Sequence, residues 1–209
     1  DAGADGIEHN APLRSQDAQV LARMARRHMS SMAGAGAFFL QRIDETGLID
    51  GRGRAQSLLF PADVLAALRS GMDALHRQTL EMKQSGWDAA QRQKSFAQEM
   101  RRAREAGVLI GFGTDCGASG IIAGEQYKAL YGESRMGSSA MEAILMATRD
   151  AAAALGKAAE LGTIEPGKLA DIIIVDADPL ADLRNLPQVY RVIKGGAVYD
   201  PAELISSAK

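Results

Sequence analysis

Val108-Leu109-Ile110-Gly111-Phe112-Gly113-Thr114-Asp115-Cys116-Gly117 is the stretch whose reading decides the fold. From Val108 to Gly113 it is apolar with no polar alternation, and Gly107 precedes it. A short apolar run that follows a helix and is bounded by glycines suits a parallel strand buried on both faces. Asp115 then stands just past the carboxyl end of that strand. Active sites of parallel α/β proteins are built at that end. The blander reading of Asp115 is a turn residue or a helix cap, since aspartate serves both.

Upstream of the run, Phe96, Met100 and Ala103 share one helical face, with Asp88 and Gln91 spaced as a capping box. Pro61 opens an earlier helix whose stripe is Leu65, Leu68, Met72 and Leu75. Residues 44–61, rich in Gly, Arg and Asp, read as a long loop. In Ser30 to Leu40 the later part, ending Phe38-Phe39-Leu40, is expected to be a barrel strand. A helix before it places Leu21, Met24, Ala25 and His28 on one face, with Ser15 or Asp17 as its cap. Near the start, Gly6-Ile7-Glu8 reads as a very short strand and His9 follows it.

Downstream, no clear helix is expected before Ser138. Ser139 and Glu142 form a second capping box, and Met141, Ile144, Leu145, Ala152 and Leu155 are expected to line the helix that Gly156 ends. The tail changes character. Glu165-Pro166-Gly167-Lys168 matches a type II turn. Asp171 to Asp176 is a β-branched strand, and Gly195-Gly196 interrupts a second stretch, Val189 to Tyr199, as a hairpin turn. Strands alternating with helices indicate a parallel α/β core, here followed by a small all-β piece.

Composition narrows the function. The chain has 209 residues, a formal charge of -2 and 46% hydrophobic residues. This excludes a disordered chain and gives no argument for nucleic-acid binding. One cysteine, Cys116, rules out an intrachain disulfide and weakly favours the cytoplasm. No run approaches the length of a membrane span and no signal peptide is visible. The chain begins at Asp1, in the middle of what reads as structure, so an upstream targeting segment stays open.

Two residues carry the chemical reading. His9 and Asp115 both follow strands, and an imidazole and a carboxylate at one mouth are the donor types that zinc sites use. A lone histidine is more often structural than a ligand. Gly111 to Gly117 also approaches the dinucleotide fingerprint, but Cys116 stands where the last glycine belongs and no helix N-terminus is expected to face a phosphate. Cys116 as a nucleophile lacks a histidine nearby in sequence. His28 and His76 fall in expected helices, Arg101, Arg102 and Arg104 on a solvated helix face, and the 9 methionines along core stripes.

Gly6-Ile7-Glu8-His9, Gly113-Thr114-Asp115 with Gly117, the helix from Met141 through Thr148-Arg149, and Gly162 to Ile172 together resemble the amidohydrolase superfamily near imidazolonepropionase and Xaa-Pro dipeptidase-like enzymes. Asp178-Pro179-Leu180 and Val192 to Gly196 complete the resemblance, which is specific from Val108 onward and poor from Asn10 to Ala106. It implies the C-terminal portion of a (β/α)8 TIM-type barrel plus part of a small β-sandwich. Residues 1–161 would form the partial barrel, its last three βα units, and 162–209 the partial sandwich.

The same resemblance implies a metal-dependent hydrolase of a C–N bond, in a non-standard peptide or cyclic amide. Its small-molecule substrate would be attacked by metal-activated water. His9 would be a metal ligand, and Asp115 both a metal ligand and the general base. The cofactor would be a divalent metal, zinc, as one or two ions. The family's His-x-His pair, its lysine and its further histidine have no counterpart among the 3 histidines present, and all precede Asp1 in family order. The activity is therefore expected of a longer parent, with this portion inactive alone and prone to associate through exposed barrel edges. A non-catalytic fragment or divergent non-enzyme is the alternative reading, and a nucleotide-binding α/β domain the third.

Overall fold

The computed structural model describes residues 3–7, 18–33, 89–114 and 124–207, with separate helical positions between 61 and 81. Three strands form a parallel sheet: β1 (Gly6–Ile7), β2 (Ser30–Ala33) and β3 (Leu109–Phe112), in the order β1-β2-β3. Gly6 pairs with Ser30, and Ser30 in turn with Leu109, so the strands rise side by side in one direction. The described strand in this stretch is β2, at its start; residues 34–40, where a strand is expected, lie outside the described residues. The phenylalanines at 38 and 39 lie outside the described residues.

Helices α1 (Ala18–Arg26) and α2 (Ala89–Glu105) cover one face of this sheet. Leu21 and Met24 of α1 and Phe96, Met100 and Ala103 of α2 share a buried cluster with Val108 and Ile110. The stripes read from sequence are thus the residues that pack. Burying side chains of this size contributes roughly 1.5–3 kcal/mol each, which is what holds a short three-stranded sheet to its helices. His28 departs from expectation. It lies past the end of α1, in the left-handed region at φ 53°, while Met29 N–H donates back to the Met24 carbonyl at 2.9 Å. That is a helix stop, a place where a side chain without a Cβ penalty is favoured.

A helix not legible in the sequence, α3 (Gln126–Arg135), follows, and then the capped helix α4 (Ala140–Leu145). α4 continues through a π-helical turn, Met146–Asp150, into α5 (Ala151–Ala154). The extra residue of a π turn rotates everything after it about the helix axis. Past the turn, Ala152 of the expected stripe is buried and Leu155 is exposed; before it, Ala143 is buried and Met141 exposed, and Met146 at its start is buried.

The remaining strands, β4 (Ile172–Val175), β5 (Val189–Lys194) and β6 (Ala197–Tyr199), form an antiparallel sheet. Gly195 and Gly196 both take positive φ and close the two-residue β5–β6 turn as the sequence predicts. The Asp171 carboxylate accepts from Gly195 N–H at 2.8 Å and from the Lys194 ammonium, clamping the turn to the start of β4. The segment between β4 and β5 meets the helices at Leu183 and Arg184. Leu183, 2% exposed, sits in a 3-10 turn (Leu183–Asn185) and packs with Leu130 and Ala143. Arg184 places its guanidinium 5.4 Å from the Tyr131 ring centre. On β4, Ile173 and Ile174 are exposed apolar side chains.

Gly162, at φ 94°, is wedged against the π turn. A Cβ there would meet Ala152 Cβ at 2.7 Å and the Thr148 carbonyl oxygen at 3.0 Å. Gly162→Ala is expected to destabilise the chain by about 1–3 kcal/mol through overpacking and backbone strain, read as a fall in thermal midpoint. A midpoint equal to wild type would show that the wedge is not tight.

Candidate functional site at the carboxyl ends of the parallel strands

Because β1, β2 and β3 are parallel, the chain leaves all three at one end of the sheet. His9 lies two residues past Ile7 and Asp115 three past Phe112, and both fall outside the described residues. What is described is the stem of each. β1 and β3 flank β2, so their ends stand about 10 Å apart, two strand spacings. Gly113 and Thr114, the last described residues after β3, are half-buried.

The return path from β3 fixes what else lies at this end. A cleft of about 620 Å³ is lined by Gly107 and Val108, at the start of β3, together with Arg149 and Ala153, late in the return helix. The cleft is lined along the length of that helix, from Glu142 to Ala153, and His28 also lines it. Met146 to Ala154 pack along β3. Helix α3 meets the carboxyl end of β3, where Ala129 and Leu130 pack on Phe112.

Helix α3 brings an unexpected set of buried charges to the carboxyl end. Glu125, Lys128 and Glu133 are 5%, 3% and 1% exposed. Lys128 Nζ lies 2.8 Å from Glu125 Oε2. Ala129 and Leu130, between them, pack on Phe112, the last residue of β3. Sequence reasoning missed this helix because its buried positions include a lysine, a glutamate and Gly132, leaving no apolar stripe to find. The spacing of Glu125 and Lys128 was the available signal.

The return helix begins with its capping box in place. The Ser139 hydroxyl accepts from Glu142 N–H at 3.2 Å, and Glu142 Oε2 accepts from Ser139 N–H at 2.7 Å. Arg104, at the end of α2, braces the same point. It donates to Ser138 Oγ at 3.0 Å and lies 3.8 Å from Glu142 Oε1. The hydrogen bonds from Ser139 hold the Glu142 carboxyl below its ordinary value of 4.5.

The described residues do not by themselves fit a metal ion, since no group of three His, Cys, Asp or Glu side chains converges among them. A catalytic zinc takes about three protein ligands. The donors named from sequence, His9 and Asp115, supply two of the right chemistry, and the arrangement of these two is outside the described residues.

The amidohydrolase family's model matches residues 7–198, and the chain belongs to that family. Over 88 residues it is 42% identical to a 5-methylthioadenosine/S-adenosylhomocysteine deaminase of Symbiobacterium thermophilum, covering 37% of this chain and 20% of that protein. Over 107 residues it is 35% identical to an imidazolonepropionase of Geobacillus kaustophilus, covering 49% and 25%. A solved Xaa-Pro dipeptidase with methionine bound in its active site aligns with a TM-score of 0.57 at 28% identity, over 95% of this chain and 40% of that one. The chain thus spans a quarter or less of the curated relatives it matches. The fold class is α/β, part of a barrel of the amidohydrolase type.

Ser139→Ala is expected to cost about 1 kcal/mol of stability and to change the acid limb of the stability curve. A carboxyl depressed in the folded state adds stability that is present above its unfolded value and is lost as pH falls through its folded value. Wild type should therefore lose stability from near the ordinary value of 4.5 downward, and Ser139→Ala should lose less over that window. Parallel acid limbs in thermal melts would contradict the assignment.

Proposed function

We propose that the longer protein of which this chain forms part is a metal-dependent hydrolase of a C–N bond in a non-standard peptide or a cyclic amide. The observation that carries the reading is the parallel β1-β2-β3 sheet. It sends the segments bearing His9 and Asp115 out at the same end, within a family of hydrolases that generally use divalent metals. The names of the matched relatives support the bond class: a deaminase, an imidazolonepropionase and a Xaa-Pro dipeptidase all act on carbon–nitrogen bonds.

In this reading His9 and Asp115 are metal ligands, and further ligands come from the rest of the longer protein. They would hold a divalent ion, zinc by its donor types, as one or two ions, and its chemistry would be to lower the pKa of a water towards about 7. Asp115 is the general base. Its carboxylate takes the proton from the attacking water and passes it to the departing nitrogen. Residues 1–161 belong to the barrel and 162–209 to the sandwich. The 209-residue chain alone, with two ligands, is inactive.

The test is zinc analysis and an activity assay on a version extended upstream, with glycyl-L-proline and hydantoin as probes. Bound zinc and turnover of one probe are expected. Asp115→Asn should lower kcat by about 10²–10⁴-fold, the usual contribution of a general base. Lack of bound zinc, or full activity in Asp115→Asn, overturns the reading.

A further inference from the structure

The buried Glu125–Lys128 pair is the feature that neither the fold nor the proposed chemistry uses. It lies on the helix that meets the carboxyl end of β3, where Ala129 and Leu130 pack on Phe112. Ala129, adjacent to Lys128, is completely buried on Phe112, three residues before Asp115.

Stability does not account for the pair. Two charges are removed from water, and a well-packed apolar pair in their place is commonly neutral or stabilising. Lys128 also sits in the first turn of α3, where the helix dipole disfavours a cation. An ammonium has three donors, and among the described residues Glu125 supplies its ion-pair partner. Glu125, for its part, is the residue that precedes α3, yet its side chain caps no helix amide. Serine or aspartate at that place normally does so. Its carboxylate is committed to Lys128 instead. Each residue gives up the interaction that its position on the helix favours, and both do so at the mouth.

Resting on the hydrolase reading, we infer that Glu125 and Lys128 are positioning residues of its site. The pair is directional and short, and it ties the entry of α3 to its own first turn. Ala129 and Leu130 then seat that turn on the end of β3. The helix seated on Phe112, the last residue of the strand that leads to Asp115, is thereby held in one arrangement. An apolar pair would fill the same volume without fixing it. Misplacement of about 1 Å at an active site costs up to about 10²-fold in rate, so such fixing is felt in catalysis and not in stability.

The experiment compares the upstream-extended protein with the double variant Glu125→Leu/Lys128→Met and with Lys128→Arg. The double variant should melt at or above the wild-type temperature. Its kcat on whichever of glycyl-L-proline and hydantoin the wild type cleaves should fall by about 10- to 100-fold, with KM little changed. Lys128→Arg, which keeps the charge and a donor toward Glu125, should retain most of kcat. A lower melting temperature in the double variant would make the pair a stability element and overturn the inference, as would an unchanged kcat. An active wild type with an equally active double variant sinks the positioning role alone. A wild type without activity on either probe sinks the hydrolase reading and this inference together.

Discussion

The pairing of β2 with both β1 and β3, in parallel and in register, is the constraint on which the rest depends. Had one of the two pairings been antiparallel, the segments after β1 and β3 would have left at opposite ends of the sheet. Parallel neighbours send both to one end, and they require each connection to climb back over a helix. That return explains why α1 and α2 share one cluster over the sheet, and why the helix after α3 descends along β3. The register is short, with Gly6 and Ile7 alone on β1. Its persistence depends on Leu21, Met24, Met100 and Ile110 staying dry beneath it.

Where the sequence carried a periodic signal, it was legible. Phe96, Met100 and Ala103, the unbroken run at Val108, the Ser139–Glu142 box and the paired glycines at 195 and 196 each specify one local geometry, and the structure has it. Where the signal was tertiary, it was not. Nothing in the spacing of Met141 to Leu155 announces a π turn, because the turn inserts a residue without altering composition. Helix α3 was hidden for the opposite reason. It buries ionic residues where an amphipathic helix buries apolar ones, so the usual stripe is absent. The strand Ser30–Ala33 carries little β propensity of its own, and its pairing with β1 and β3 on both sides decides it.

The candidate site divides in the same way. Position relative to a strand end is a local property, and it singled out His9 and Asp115. A full set of ligands is a property of the closed barrel, in which side chains from several strands converge. A chain covering about two fifths of its structural relative's length cannot display that convergence. The buried charges on α3 could be weighed only once Ala129 and Leu130 were seen to pack on Phe112.

Leu183 and Gly162, on either side of β4 in sequence, also set how the molecule comes apart. Leu183 inserts between α3 and α4, while Gly162 lies flat on the π turn. The segments on either side of β4 therefore cannot leave the helices without uncovering Leu130, Ala143 and Ala152. Amide hydrogens of β5 and of the return helix should then exchange with solvent at a common rate, as one cooperative unit. A protease working on the segment between them would find no native intermediate to trim.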